Sequence, residues 1–280
     1  MRQLLDTPSK SQQPLDDKDL MPTDRYTEEN LLPVWGAVAH VVEKANDQRT
    51  NSAPESQWST FIIAPILDLL HHVHRHNHKE PQLQVLDVTT TPIEPVDLCP
   101  YLNHPEVSKY LNKRIDFAVG LRISHQQKTA LQHGRYRDHR PGTLHSINQT
   151  AGWANHVPIF LNIEVKKKHV PEDPMVQIGV WVAAEFRKRV IEGYDLDMPV
   201  FAIEIEEDMW NLYIGYVTDS LAENLVFMGP ESMGDTKSPQ GVFKILHVLH
   251  SLMDWGTSDY RSWFEREVLT KHQTSSNAPG

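Results

Sequence analysis

Three residues of this chain have types and positions suited to chemistry: Asp116 in "KRIDFAVGL", and Glu164 and Lys166 in "PIFLNIEVKKKHV". Residues two apart in an extended strand share a face, so Glu164 and Lys166 point one way while Ile163 and Val165 point the other. On neighbouring strands, Asp116 and Glu164 offer the hard oxygen ligands that a divalent ion such as Mg²⁺ takes, leaving water and a phosphate oxygen to fill the remaining positions. Such an ion polarises a phosphoryl oxygen and lowers the pKa of an attacking water. Lys166 can orient that water or balance the charge that grows in the transition state. A Glu-x-Lys triplet is common in itself, and an ion pair on a half-buried strand is the plainer reading of it. Asp116 resists that reading, because an acid inside "RIDFAV" is a costly buried charge unless Arg114 pairs with it.

Periodicity supplies the elements that must hold these groups. A short helical pattern in "TEENLLPVWGAVAHVVEKAND" precedes a longer one in "APESQWSTFIIAPILDLLHHVHRH", where Pro65 is expected to bend the helix. Alternation and β-branched residues mark "PQLQVLDVTT", "KRIDFAVGLRI" and "PIFLNIEVKKK" as strands. The helix expected over "EDPMVQIGVWVAAEFRKRVIEGY" opens with acids and Pro174 and closes with basic residues before Gly193, the charge order its dipole favours. Two strands joined by an acidic turn follow in "MPVFAIEIEEDMWNLYIGYVTD", then two amphipathic helices, "GVFKILHVLHSLMDWG" and "SDYRSWFEREVLTKH". The expected fold is α/β, a mixed central sheet flanked by helices, in one domain over residues 26–271. Residues 1–25 read as a mobile polar leader and 272–280 as a polar tail.

Composition narrows the setting. The 280 residues are 39% hydrophobic and carry a formal net charge of −10, which excludes a protein that coats nucleic acid with its whole surface. The single Cys99 rules out an internal disulfide framework and fits a reducing compartment, cytoplasm or nucleus. No run of eighteen apolar residues suggests a membrane span. Residues 122–156 form a basic island, with Arg122, Lys128, Arg135, Arg137 and Arg140 against one acid, Asp138. That island reads equally as a solvated loop or as an anion-binding segment, for which Arg135, Arg137 and Arg140 are the candidates. Lys167 and Lys168 are surface residues with phosphate contact as an alternative role. His71, His74 and His78 share a helical face, but no further ligand completes a zinc set. P-loop, dinucleotide and serine-hydrolase signatures are missing.

Several segments, in order, resemble the PD-(D/E)XK nuclease superfamily, and within it the fungal PD-(D/E)XK nuclease-like domain proteins. From Glu55 to Leu269 these are "ESQW", "PYL", "KRIDFAVGL", "HSINQT", "NIEVKK", "VQIGVWVAAEF", "SPQGVFKILHVLHSLMDW" and "WFEREVL". The resemblance implies a restriction-endonuclease-like core, with Asp116 and Glu164 as metal ligands, Lys166 as the catalytic lysine and Glu55 as a further metal acid from the first helix. It also implies that Gln177 and Trp181 form the family's Q-x-x-x-aromatic pattern, Gln177 acting in catalysis and Trp181 supporting it. The strand motif here reads Ile-Asp, without the proline of the superfamily's name, which leaves the carboxylate in place. The implied activity is Mg²⁺- or Mn²⁺-dependent hydrolysis of phosphodiesters, in DNA before RNA, with a homodimer as a further candidate assembly. Two rivals stay open: a non-nucleolytic enzyme using the same cleft on a small molecule, for example in secondary metabolism, and a catalytically silent binding module.

Overall fold

Six strands lie in the sheet in the order in which the chain makes them. The computed structural model describes residues 28–76, 82–99, 114–136, 146–150, 152–168 and 173–271. Strands β1 (Leu83–Asp87), β2 (Phe117–Leu121) and β3 (Ile159–Lys166) pair antiparallel, β3 pairs parallel with β4 (Val200–Glu206), and β5 (Met209–Val217) and β6 (Leu225–Asp235) continue antiparallel. The one parallel join needs a crossover, and α5 (Pro174–Glu192) supplies it. A strand covered on both faces must be apolar on both, and β3 is buried from Ile159 through Val165. Its polar members, Asn162 and Glu164, therefore require partners inside the molecule.

One face of the sheet, with Leu161, Ile163, Val165, Ile203 and Ile205, builds the main core. Helices α1 (Glu28–Thr50), α3 (Ala64–His76) and α6 (Pro239–Trp255) add Val38, Ile66 and Leu249 to it. Each such fully buried large aliphatic side chain contributes about 1.5–3 kcal/mol. The other face takes α5, whose Ile178, Val182 and Phe186 pack on Val200 and Ala202. Local chemistry sets the ends of α5 as its sequence predicts. Asp173 caps the first turn by accepting from the Met175 amide at 2.8 Å, Pro174 fills the first position, and Gly193 ends the helix at φ 67.

Four expectations need correction. The sheet has a sixth strand, β6, where the sequence reading passed directly from β5 to helix. The short first helix is 23 residues long, with Pro33 as its sixth residue, past the four orphaned N-terminal amides, so the helix continues through the proline at the cost of one backbone hydrogen bond. Helix α4 (His125–Tyr136) occupies the first part of the basic island. Lastly, α6 runs without a break through a π-helical stretch, Gly256–Tyr260, into α7 (Arg261–Trp263) and a second, Phe264–Leu269, because Gly256 keeps right-handed helical angles. Near Pro65, α2 (Glu55–Trp58) joins α3 through the π stretch Ser59–Ile63, the irregularity that a proline induces ahead of itself.

Candidate active site

Asp116 stands one residue before β2, where the β2–β3 ladder ends. Its amide donates to the Ile163 carbonyl at 3.1 Å, and its Oδ2 accepts from the Val165 amide at 2.8 Å. The carboxylate thus takes the place of a backbone acceptor and ties Asp116 beside Glu164. Glu164 is fully buried. Its Oε1 accepts from Lys166 Nζ at 2.8 Å and from Gln177 Nε2 at 2.5 Å, and Gln177 also donates to the Arg114 carbonyl at 2.9 Å. Its Oε2 is buried with no hydrogen-bond partner among the described residues. Lys166 reaches Glu55 Oε2 as well, at 3.8 Å. Asp116, Glu164, Lys166, Glu55 and Gln177 are therefore one cluster, and Arg114 contributes its backbone instead of the ion pair that would have made Asp116 structural.

Burial dominates the electrostatics. It pushes the Glu164 carboxyl up to about 8, with the charges of Asp116 and Glu55 adding to the rise and the Lys166 ammonium opposing it. Burial likewise lifts Asp116 to about 6, against the Val165 amide and with help from Glu55 and Asp87. Desolvation works against the charge on Lys166, but Glu164, Glu55 and Asp116 outweigh it and raise its pKa. Near neutrality the two carboxyls thus hold a proton that a cation would displace, behaving as a coupled pair.

Helix α5 backs this cluster with a stripe at four-residue spacing: Gln177, Trp181, Glu185, Arg189. Trp181 Nε1 donates to Asn162 Oδ1 at 3.0 Å. The Asn162 amide reaches the Phe201 carbonyl at 3.4 Å, and one turn further along α5 the Glu185 carboxylate holds Arg189 at 2.5 Å. Sequence reasoning found the first two of the stripe and missed Asn162 and Glu185. The signal was present in the i, i+4, i+8 continuation on α5 and in the i−2 position from Glu164 on β3.

The remaining candidates fall elsewhere. Lys167 Nζ donates to the Ser52 carbonyl at 2.8 Å, so it pins the turn between α1 and α2. Lys168 is half-buried just past β3. Arg137, Arg140 and His78 lie outside the described residues, and of Arg135, His71 and His74 only the helical backbone is described.

Whether the residues fit a divalent ion turns on Glu164. A fully buried carboxylate oxygen without a donor, beside a second desolvated carboxylate, is what a hard cation satisfies, so Asp116 and Glu164 fit the group. Glu55 is turned to Lys166, and among the described residues no three His, Cys, Asp or Glu side chains are gathered into a ready ligand set. A family model described as the PD-(D/E)XK nuclease superfamily matches residues 3–261. The chain belongs to that superfamily. The mixed sheet with flanking helices agrees with the PD-(D/E)XK fold, and membership indicates a nuclease-type function, a nucleic-acid substrate and a divalent metal ion. No curated protein and no solved structure matched the chain.

Proposed function

We propose that the protein is a Mg²⁺- or Mn²⁺-dependent nuclease that hydrolyses phosphodiester bonds in DNA by metal-activated water. The observation that carries this reading is the unpartnered, buried Oε2 of Glu164 beside Asp116, a site short of positive charge. Asp116 and Glu164 hold the ion, with Glu55 as the nearby third carboxylate. When bound, the ion supplies Lewis-acid polarisation of the phosphate and a water of lowered pKa. Lys166 keeps its proton at neutral pH and offers its ammonium N–H groups to the attacking water or the phosphate oxygens. Gln177 orients Glu164 through Oε1 and leaves Oε2 free to face the ion. The finer placement among the fungal PD-(D/E)XK proteins rests on segment order alone. The proposed setting is nucleus or cytoplasm, as a monomer or homodimer. Among the described residues no helix is long and apolar enough to cross a membrane.

A second reading, the small-molecule enzyme, draws support from the next strand. Glu204 and Glu206 pair in register with Glu164 and Lys166 and line the site's flank with acid. The test uses purified protein with supercoiled plasmid, linear duplex and single strands, in Mg²⁺, Mn²⁺ or EDTA, alongside Lys166→Ala. Cleavage that needs the metal and disappears in the variant supports the nuclease. Intact substrates under every condition, despite a metal-induced rise in melting temperature, would shift the assignment to the small-molecule enzyme. Neither cleavage nor metal response would leave the silent module.

A further inference from the structure

The far end of the α5 stripe carries an unassigned polar cavity. It has a volume of about 20 Å³ and lies between α5, the start of β3 and the C-terminal helical run, with Glu185, Lys188, Arg189, Tyr260 and Trp263 in its lining. Two buried polar atoms of that lining have no hydrogen-bond partner among the described residues: the acceptor Glu185 Oε2 and the donor Trp263 Nε1. Arg189 contacts both side chains. Its guanidinium donates to Glu185 Oε1 at 2.5 Å and lies 4.7 Å above the Trp263 ring.

Charge and size identify the ligand. Glu185 is matched by Arg189, and Lys188 is matched by Glu192 just outside the lining at 2.8 Å, so no uncompensated charge is left to draw in an ion. The two open positions ask for a molecule that accepts from an indole N–H and donates to a carboxylate. Tyr260 Oη spends its proton on the Ile159 carbonyl at 2.6 Å and keeps lone pairs for a second donation. A cavity of this size passes the roughly 10–15 Å³ needed for one water and has little room beyond it, and a buried water takes two to four polar partners.

We infer that this cavity is a binding site for a single ordered water, which accepts from Trp263 Nε1 and donates to Glu185 Oε2 and Tyr260 Oη. The water ties three elements together: α5, the C-terminal run through Trp263, and the first residue of β3 through Tyr260. It is a structural site at the opposite end of the stripe from Glu164, independent of whether the protein cuts DNA.

Two measurements on the full chain decide it. A high-resolution crystal structure should show one water within hydrogen-bonding distance of Glu185 Oε2 and Trp263 Nε1. An empty cavity overturns the inference. In solution, water ¹⁷O relaxation dispersion should count one fewer long-lived water in Trp263→Phe, which removes the donor and keeps most of the ring. An unchanged count in a folded variant also overturns it. If that variant fails to fold, the wild-type crystals still return one answer or the other.

Discussion

One oxygen of Glu164 is engaged by Lys166 and Gln177 and the other by none of the described residues, and a single substitution separates the two roles this allows. Glu164→Gln keeps the volume and the acceptor at Oε1 but removes the charge. If the site is built for a cation, the metal-free variant melts at the wild-type temperature or above, because like charge with Asp116 is relieved, and its response to Mn²⁺ disappears. If Glu164 serves only to pair with Lys166, the variant strands a mostly buried ammonium and melts lower. The raised carboxyls give a pH signature too. Their folded values, about 6 for Asp116 and about 8 for Glu164, lie above the ordinary 3.8 and 4.5. The folded state therefore binds more protons, and the stability these groups contribute is complete below about pH 4 and lost as pH rises through 6 and then 8. A cation must displace those protons. The melting shift caused by a fixed Mn²⁺ concentration is thus expected to grow from pH 6 to pH 8.5, and thermal scans across that range check it; a flat response would place the ion elsewhere.

Between elements, the contact that fixes the site is α5 on β3. Trp181→Phe keeps the packing and takes away the only indole donor to Asn162 Oδ1. Leaving that buried acceptor unpaired costs about 1–3 kcal/mol, or roughly 2–4 °C of melting temperature per kcal/mol in a domain of this size. Calorimetry should find that loss, and cleavage should fall with it, since the same helix face carries Gln177. Another tight join lies at Gly120, where the β2–β3 register shifts. A Cβ there would stand 2.8 Å from the Pro158 carbonyl oxygen, backbone that cannot swing aside, so Gly120→Ala is expected to lower the melting temperature markedly. These elements differ in how far the sequence disclosed them. β3 and α5 were legible because a continuous apolar strand and a capped, dipole-matched helix each carry several signals that agree. β6 was not: as an edge strand it exposes most of its middle, interrupts itself with Gly229 and Pro230, and bends at Gly234 with φ 137, which breaks the alternation by which a strand is recognised. The α6 run hid its continuity for the opposite reason, since Gly256 looks like a helix stop. It is a glycine for another reason: the Phe160 ring packs against it and leaves no room for a side chain, while its angles stay right-handed helical.

Across the whole molecule, the charge distribution decides how an acidic protein could hold DNA. With a net −10, long-range attraction is absent, and Glu204 and Glu206 add acid beside the site. Phosphate affinity must come from a local concentration of cations, and residues 122–156 are where the sequence provides one. The segment connects β2 to β3, but it leaves at Leu121 and returns at Ile159, the ends of the two strands remote from Asp116 and Glu164, so it would meet a duplex some way along from the cluster instead of beside it. Its first part is α4, and Arg135 falls in that helix's last turn. Replacing Arg135, Arg137 and Arg140 together with Ala is expected to weaken duplex binding and flatten its dependence on salt. Each lost phosphate contact on duplex DNA removes about 0.9 from the slope of log affinity against log salt, so three contacts lower it by up to about 2.7. Thermal stability is expected to hardly change. Measured by anisotropy in a Lys166→Ala background, where the DNA survives the titration, a reduced slope at unchanged melting temperature locates the contact in this segment. An unchanged slope would mean that the basic island is a solvated connection after all. The acidic flank along β4 would then count in favour of a small substrate.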